Sequence, residues 1–299
     1  MSDPLLGKVV VFGVGLIGGS FALALKQAGA VACVVGIGRS QASLARALEL
    51  GIIDVIGDDL GVALTGADLV LIAAPVAQTE SILAAIAPHL QLGTVVTDAG
   101  STKADVVAGA RRALQCKVGQ FVPGHPIAGR ETNGPDAAIV DLYQGKKTVL
   151  TPLLDNTALD VERVAACWRL CGAIIHHLSP EQHDQVFAAV SHLPHLLAYA
   201  LVDQIAQAQN SALLFQYAAS GFRDFTRIAG SSPEMWRDIS LANRSALLDQ
   251  LDAYQAQLTH LRASLAADDG AALEAVYANA QRARKQWGAA IEAAEPPAQ

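Results

Sequence analysis

The feature that most constrains this sequence is a glycine-rich turn near its amino terminus. The turn, Gly13–Ser20 (GVGLIGGS), follows the apolar run Lys8–Phe12 and opens a segment with helical apolar spacing. In such a turn the first glycine permits a tight bend, the second lets a pyrophosphate approach the backbone, and the third lets helix and strand pack closely. The helix N-terminus then faces the phosphates. We therefore predict a dinucleotide site at Gly13, Gly15, Leu16, Ile17 and Gly18. The alternative is a glycine-rich turn that serves only the packing of the fold and binds no dinucleotide.

The first half of the chain alternates short apolar runs with helical patterns, which is typical of a doubly wound α/β domain. Strands are predicted at Lys8–Phe12, Val31–Ile37, Asp68–Ala73, Thr94–Asp98, Gln120–Val122, Thr148–Thr151 and Ala173–His177. Helices are predicted at Leu16–Ala28, Gln41–Leu50, Thr79–Ala87, Lys103–Ala113 and Thr157–Cys171. Runs that are apolar throughout suit a parallel sheet buried on both faces.

The pattern changes after Leu178. The segment 179–182 (SPEQ) is a strong helix start, with Ser179 as the N-cap and proline at the first helical position. Beyond it the pattern is helical at 181–209, 211–220, 233–264 and 270–293. We therefore predict an α/β then all-α chain, with a Rossmann-like dinucleotide-binding domain at 1–178 and an all-helical substrate and dimerisation domain at 179–299.

Composition narrows the classes of partner. The chain is 52% hydrophobic and 16% charged with a net charge of −7, and it has no basic block, so we expect a packed core and no nucleic acid partner. The uncharged run Val9–Leu25 contains four glycines and is shorter than a membrane span, so we expect no membrane partner and a cytoplasmic protein.

Four cysteines do not make a disulfide framework in a chain of this length. Cys167 and Cys171 lie one helical turn apart and are followed by His176 and His177, which leaves a metal site conceivable. Two buried thiols explain the spacing better, and we predict no metal.

The residues that distinguish NAD from NADP are expected at the end of the second strand, where NAD-binding proteins place an acid for the ribose 2′-hydroxyl. This chain has Gly38, Arg39 and Ser40 there and no acid. A guanidinium and a hydroxyl both donate hydrogen bonds to a 2′-phosphate, so we favour NADP, with NAD possible. The alternative is that Arg39 is solvated and Ser40 only caps the next helix, a role compatible with phosphate binding.

Three further segments carry candidate chemistry. The segment 98–103 (DAGSTK) leaves a buried strand at the carboxyl edge of the sheet, where ligands bind in such folds. The segment 124–131 (GHPIAGRE) holds a histidine between residues that constrain the backbone, and 191–195 (SHLPH) interrupts a helical pattern. Together with 222–239 (FRDFTRIAGSSPEMWRDI) and the glycine turn, they resemble the prephenate/arogenate (cyclohexadienyl) dehydrogenase family of tyrosine biosynthesis, over about residues 10–290.

The resemblance implies oxidative decarboxylation of prephenate or L-arogenate with a nicotinamide cofactor. His125 is then the catalytic histidine, which accepts the proton of the substrate hydroxyl; a neutral imidazole suits that role. Ser101 is its implied partner, with a helix cap before Lys103 as the alternative. His183 is a possible supporting residue.

The resemblance also implies how substrate is held. Arg227 matches the carboxylate-binding arginine, Asp224 is expected to orient it, and Trp236 resembles an aromatic wall. His195 is expected to line the pocket, and His192 is either a site residue or structural.

Glu131 matches an acid that many family members carry, and it is expected to contact substrate. No role is indicated for Arg130, Arg223 or Arg237. The resemblance further implies a homodimer formed through the helical domain.

Two other functions compete with this one. A β-hydroxyacid dehydrogenase also joins a dinucleotide domain to a helical one, but it relies on a lysine in the helical domain, and this chain has none between Lys147 and Lys285. A nicotinamide-sensing protein without catalysis would need the glycine turn but not His125, Ser101 and Arg227 together.

Overall fold

A parallel six-stranded sheet forms the first part of the computed structural model, which describes residues 5–130 and 132–294. Its strands are β1 (Leu6–Phe12), β2 (Val31–Ile37), β3 (Val55–Ile56), β4 (Leu69–Ile72), β5 (Val95–Asp98) and β6 (Phe121–Val122). The order β3-β2-β1-β4-β5-β6 is that of a dinucleotide-binding fold, so the predicted α/β class is confirmed. Val10 on β1 pairs with Val35 on β2 and Val70 on β4, and all three are buried.

Helices cover both faces of this sheet and create two apolar cores. They are α1 (Leu16–Gln27), α2 (Gln41–Glu49), α3 (Leu60–Leu64), α4 (Thr79–Ile86) and α5 (Ala104–Leu114). The Ser40 hydroxyl accepts a hydrogen bond from the Ser43 N–H and so caps α2, as its position in the sequence indicated. Strand β3 and helix α3 were not predicted.

A second, three-stranded sheet holds the remaining strands, a separation that the sequence pattern did not indicate. Its members are β7 (Gly124–Pro126), β8 (Lys147–Leu150) and β9 (Ile174–His177), with α6 (Ala158–Leu170) between the last two. Trp168 on α6 is fully buried, and its ring centroid lies 4.6 Å from that of Phe21 on α1. This packing fixes the second sheet against the helix that follows the glycine turn.

The described chain beyond residue 178 contains no strand, as predicted. Its helices are α7 (Pro180–Phe187), α8 (Leu193–Ala206), α9 (Ser211–Gln216), α10 (Ser220–Thr226), α11 (Pro233–Ala242), α12 (Arg244–Ala266) and α13 (Gly270–Ala294). A π-helical turn, Ala188–His192, joins α7 to α8, where an interruption was expected. The capping box predicted at Ser179 and Gln182 is present.

The chain forms two compact units, Met1–Leu247 and Leu248–Gln299. Helices α7 to α11 therefore belong to the same unit as the parallel sheet. This spatial division lies beyond the expected boundary at residue 178, which marks a change of secondary structure.

Within the described residues, one helical stretch, Pro180–Ala206, has the length and apolar composition of a membrane-crossing helix. That is a weak indication by itself. His183, Asp184 and His192, which lie on this stretch, are buried and hydrogen-bonded inside the protein.

Cys167 and Cys171 are buried free thiols, and burial raises the pKa of Cys167 to about 12. His176 and His177 are exposed on β9. The structure thus separates the four residues whose spacing had suggested a metal, and no cluster of three metal-ligating side chains occurs in the described residues.

Candidate active site

Three adjoining cavities lie within the first unit, and two of them lie at the carboxyl ends of strands of the parallel sheet. The motif cavity, of about 680 Å³, is lined by the glycine turn and by Gly38, Arg39 and Ser40. The histidine cavity, of about 430 Å³, is lined by Gly15, Leu16, Ile17, Ser101 and His125. The arginine cavity, of about 860 Å³, is lined by Arg130, His195, Arg227 and Trp236. Gly15 and Gly134 are shared by the first two cavities, and Arg130 and Met235 by the last two.

The glycine turn has the geometry that a dinucleotide requires. Gly13 has φ +88°, and a Cβ there would lie 2.5 Å from the carbonyl oxygen of Ala73. A Cβ on Gly18 would overlap the Gly13 carbonyl oxygen, so this glycine lets the helix approach the turn. Gly15 is different, because the nearest atom to its Cβ position is the Gly134 nitrogen at 4.0 Å. The backbone at Gly15 is therefore open toward the cavity and the N-terminus of α1.

The rim of the motif cavity is basic and hydroxylic. Arg39 is exposed, and the Ser40 and Ser43 hydroxyls lie 3.1 Å apart. Ser43 was not predicted to take part. No carboxylate lines this cavity among the residues that the structure describes.

The imidazole of His125 belongs to a chain of hydrogen bonds that ends at a buried carboxylate. His125 Nδ1 lies 2.8 Å from His183 Nε2, and His183 Nδ1 lies 2.8 Å from Asp184 Oδ1. His183 is fully buried and Asp184 nearly so. The Asp184 oxygens also accept the backbone N–H groups of Lys103 and Ala104, at 2.8 Å each.

These partners determine the tautomer of each ring. An ionised carboxylate only accepts, so His183 Nδ1 must donate to Asp184. The Nε2 atom of a neutral His183 is then an acceptor, and His125 Nδ1 must donate to it. His125 Nε2 is left with its lone pair, which is the form that a general base requires.

The surroundings keep the two imidazoles neutral and the carboxyl of Asp184 ionised. Burial lowers the pKa of His125 well below its usual value, and the nearby His183, Lys103 and His192 lower it further. Burial also lowers the pKa of His183, although its bond to Asp184 opposes the shift. Burial opposes ionisation of Asp184, but hydrogen bonds from His183, Ala104 and Lys103 hold the pKa of that carboxyl below its ordinary value.

Ser101 lies in the same cavity as His125, but His183 is the residue that engages His125 Nδ1. Among the described residues the Ser101 hydroxyl makes no hydrogen bond. Nor does Ser101 cap the following helix, because the Asp184 carboxylate accepts the N–H groups at the start of α5. The role of Ser101 beside His125 stays a prediction.

The arginine cavity brings together three of the residues expected to hold substrate. The rings of His195 and Trp236 stack with centroids 3.6 Å apart, and Arg227 lines the same cavity from the turn after α10. His195 Nδ1 donates to the Ser191 carbonyl at 2.8 Å, so its Nε2 is an acceptor. Arg130 lines both this cavity and the histidine cavity.

Two residues expected at the substrate site, His192 and Asp224, line none of the three cavities. His192 is 1% exposed and lines none of the three cavities; its Nδ1 accepts a hydrogen bond from Asn243 Nδ2 at 3.1 Å. Burial lowers its pKa to about 4, although the nearby Asp184 carboxylate opposes the shift. His192 is therefore held inside the fold by Asn243. Asp224 is exposed on α10 and forms no ion pair with Arg227. Glu131 lies outside the described residues.

The sequence indicated His183 only as a possible supporting residue and missed Asp184 and Asn243. Asn243 Nδ2 donates to the Asp184 carbonyl at 2.8 Å as well as to His192, so one amide connects the two histidine clusters. The only local signal was an acid directly following a histidine in the first turns of a predicted helix.

Comparison with known proteins gives a consistent result. Family models described as the nucleotide-binding domain and the dimerization domain of prephenate dehydrogenase match residues 21–177 and 179–278. A cyclohexadienyl dehydrogenase of Zymomonas mobilis is 38% identical over 280 residues, 92% of this chain and 94% of that protein. The crystal structure of prephenate dehydrogenase from A. aeolicus in complex with hydroxyphenyl propionate and NAD⁺ has a TM-score of 0.86 at 34% identity, covering 93% of this chain and 98% of that one. Synechocystis arogenate dehydrogenase has a TM-score of 0.79 at 29% identity, covering 94% and 99%.

The histidine chain predicts the protonation state of each ring nitrogen. In protein labelled with ¹⁵N-histidine, we expect His125 to carry its proton on Nδ1 and to stay neutral as the pH falls to about 6.5, the usual histidine pKa. In His183→Leu the acceptor for this proton is lost, and the His125 resonances should move toward a mixture of tautomers. A parent spectrum with the proton on His125 Nε2 would contradict the direction derived from Asp184.

Proposed function

Because this chain belongs to the prephenate dehydrogenase family, we propose that it catalyses the NAD(P)-dependent oxidative decarboxylation of prephenate, L-arogenate or both. The products are 4-hydroxyphenylpyruvate from prephenate and L-tyrosine from arogenate. The observation that carries the proposal is the His125 Nε2 lone pair in a cavity that adjoins both a dinucleotide turn and an arginine-lined chamber.

The residues of the motif cavity fit a dinucleotide. The open backbone at Gly15 and the N-terminus of α1 would hold the pyrophosphate, and Leu16 and Ile17 would border the nicotinamide end, since they line the histidine cavity. When bound, the nicotinamide supplies the acceptor for the hydride that leaves carbon 4 of the substrate.

His125 acts on the substrate hydroxyl. Its Nε2 accepts the proton as carbon 4 loses its hydride, and the Nδ1 bond to His183 stabilises the imidazolium that forms. Loss of carbon dioxide from the ring then aromatises it, and His125 returns the proton to the phenolic oxygen. The lowered pKa of His125 keeps the base neutral before the reaction and favours return of the proton after it.

Arg227 is the residue that we assign to a substrate carboxylate, since a guanidinium forms two parallel hydrogen bonds with such a group. Its place in the arginine cavity supports this role. The stacked rings of His195 and Trp236 would form the wall against the substrate, with His195 Nε2 as an acceptor.

The test is a single comparison of initial rates with prephenate and with L-arogenate, each with NAD⁺ and NADP⁺. We expect turnover with at least one pair, and a loss of ~10²–10⁴-fold in kcat for His125→Asn, the contribution typical of a general base. Cofactor binding, followed by nicotinamide fluorescence, should be unchanged in that variant. If the protein binds cofactor but shows no turnover in any of the four combinations, the proposed reaction is wrong and a nicotinamide-sensing protein without catalysis is the better interpretation.

NADP is the cofactor that we propose, with NAD as the alternative. Arg39 and two neighbouring hydroxyls at the rim of the motif cavity suit a 2′-phosphate, and the described lining lacks the acid that a 2′-hydroxyl attracts. The crystal structure of the A. aeolicus relative contains NAD⁺, and this observation supports NAD as the alternative.

Replacing Arg39 with alanine tests this preference. We expect Arg39→Ala to raise KM for NADP⁺ by about tenfold or more, roughly 1.4 kcal/mol, while KM for NAD⁺ changes little. Arg169→Ala, which removes an exposed arginine paired with Glu162 on α6, serves as the matched control and should change neither value. Equal increases for the two cofactors would remove the basis for the NADP assignment.

We also propose a homodimer. The second family model describes a dimerization domain, and apolar side chains on the last two helices are exposed in the single chain, among them Leu248, Leu258 and Trp287. Analytical ultracentrifugation should give about twice the mass of one chain, and a monomer at micromolar concentration would refute the assignment.

A cytoplasmic location is part of the same proposal. All four cysteines are free, which is typical of proteins in a reducing compartment. The partners included in this proposal are the cofactor, a small-molecule substrate and a second copy of the chain.

A further inference from the structure

Ser101 and His125 reach the histidine cavity from two separate loops, and each directly follows a glycine. Gly100 and Ser101 lie in the loop between β5 and α5, and Gly124 and His125 lie in β7. Catalysis by a base and a neighbouring hydroxyl depends on their separation, because a displacement of about 1 Å can cost ~10²-fold in rate. Something in the structure must therefore hold these two loops at a constant distance.

One buried carboxylate contacts both loops. Asp98 Oδ2 accepts the Gly100 N–H at 2.8 Å, and Oδ1 accepts the Gly124 N–H at 3.0 Å. Oδ2 also accepts Lys103 Nζ at 2.6 Å, in an ion pair whose side chains are 1% and 0% exposed. The two oxygens of a single side chain thus bridge the residues that precede Ser101 and His125.

Both glycines approach so closely that a side chain would displace them. A Cβ on Gly100 would lie 2.8 Å from Asp98 Oδ2 and 3.4 Å from Lys103 Nζ. A Cβ on Gly124 would lie 3.1 Å from the Asp98 carbonyl oxygen. The backbone on each side therefore rests directly on Asp98.

The ion pair is not part of the substrate path. Neither Asp98 nor Lys103 lines any of the three cavities. Burying two charges costs several kcal/mol per ion before the pairing offsets it, and an apolar pair of similar volume often serves stability equally well. A role in stability alone therefore explains this pair poorly, whereas the bridge between two loops explains it directly.

Lys103 is fixed at its backbone as well. Its N–H donates to Asp184, the same carboxylate that orients His183, while its ammonium donates to Asp98. The loop that carries Ser101 is thus fastened at one end to Asp98 and at the other to Asp184. Through His183, Asp184 also holds His125, so both carboxylates act on the same two groups.

We propose that Asp98, neutralised by Lys103, is a positioning residue that sets the separation of the Ser101 hydroxyl and the His125 imidazole. The proposal rests on the function assigned to His125. The proposal adds a requirement that both charges be present, because Asp98 or Lys103 alone would alter how readily His125 takes up a proton.

The charged and titratable groups around His125 determine in which direction its pKa moves when one charge of the pair is removed. They are Asp98 and Lys103 below the loops, His183 and Asp184 on α7, His192 on the π-helical turn, and Arg130 at the cavity wall. A cation left without its partner disfavours protonation of His125, and an anion left without its partner favours it.

The experiment compares Asp98→Asn, Lys103→Met and the double variant with the parent enzyme. We expect kcat to fall by about tenfold or more in each, with cofactor affinity retained. The acid limb of the kcat/KM profile, where His125 gains a proton, should move to lower pH in Asp98→Asn and to higher pH in Lys103→Met, by ~0.5 pH unit or more. In the double variant the acid limb should return to its parental pH, whereas kcat should stay low.

The exposed pair formed by Lys26 and Asp54 is a matched control. Its ion-pair distance is 2.7 Å, and Asp54 also accepts a backbone N–H, that of Val34. Lys26→Met and Asp54→Asn should leave kcat and the acid limb at parental values. Single variants of Asp98 and Lys103 that keep the parental limb, or that shift it in the same direction, would overturn the proposal.

Two further measurements cover variants that fold poorly or a parent that does not turn over. Gly100→Ala keeps both charges but pushes the Ser101 loop away from Asp98, so kcat should fall without a shift of the limb. Gly61→Ala, on α3 and bordered by exposed side chains, is its control. Titration of the His125 ¹⁵N resonances should show the same opposite shifts without any turnover, so an inactive parent would count against the proposed reaction alone. Unshifted resonances would overturn the positioning role proposed for Asp98.

Discussion

An ionised carboxylate can only accept hydrogen bonds, and the buried carboxylate of Asp184 imposes that constraint on everything around it. It accepts the two N–H groups that begin α5 and the Nδ1–H of His183. From that single direction of donation the protonation of His183 and then of His125 follows. The start of α5, the docking of α7 and the free lone pair on His125 Nε2 are therefore consequences of one buried charge.

The parallel sheet and its helices were predictable because their signals are local. Val31–Ile37 is a continuous apolar run and is a strand with those bounds, and Ser40 caps α2 because its hydroxyl meets an N–H three residues on. Elements too short to show a period were missed, as with the two residues of β3 and the five of α3. The division of the strands into two sheets was also missed, because pairing partners do not appear in a local pattern.

The site was predictable where a motif carries its own geometry and unpredictable where packing decides. The glycine turn is of the first kind. The partner of His125 is of the second, since Ser101 is the nearer residue in the sequence, yet His183, 58 residues on, engages the ring. His192 and His195 share a segment of five residues, but the first is buried and bonded to Asn243, whereas the second stacks on Trp236 in a cavity. Only the depth of each ring in the fold separates their roles.

The π-helical turn between α7 and α8 has a consequence for how this segment tolerates change in length. His183, which bonds to His125, precedes the turn, and His195, which lines the arginine cavity, follows it. Deletion of one residue from 188–192 could convert the π-helical turn into regular α-helix. Even so, it would rotate α8 by about 100° about the helix axis relative to α7 and shorten the distance between them along that axis by about 1.5 Å. The relative orientation of His183 and His195 therefore depends on the number of residues between them. This stretch should accept substitutions more readily than insertions or deletions.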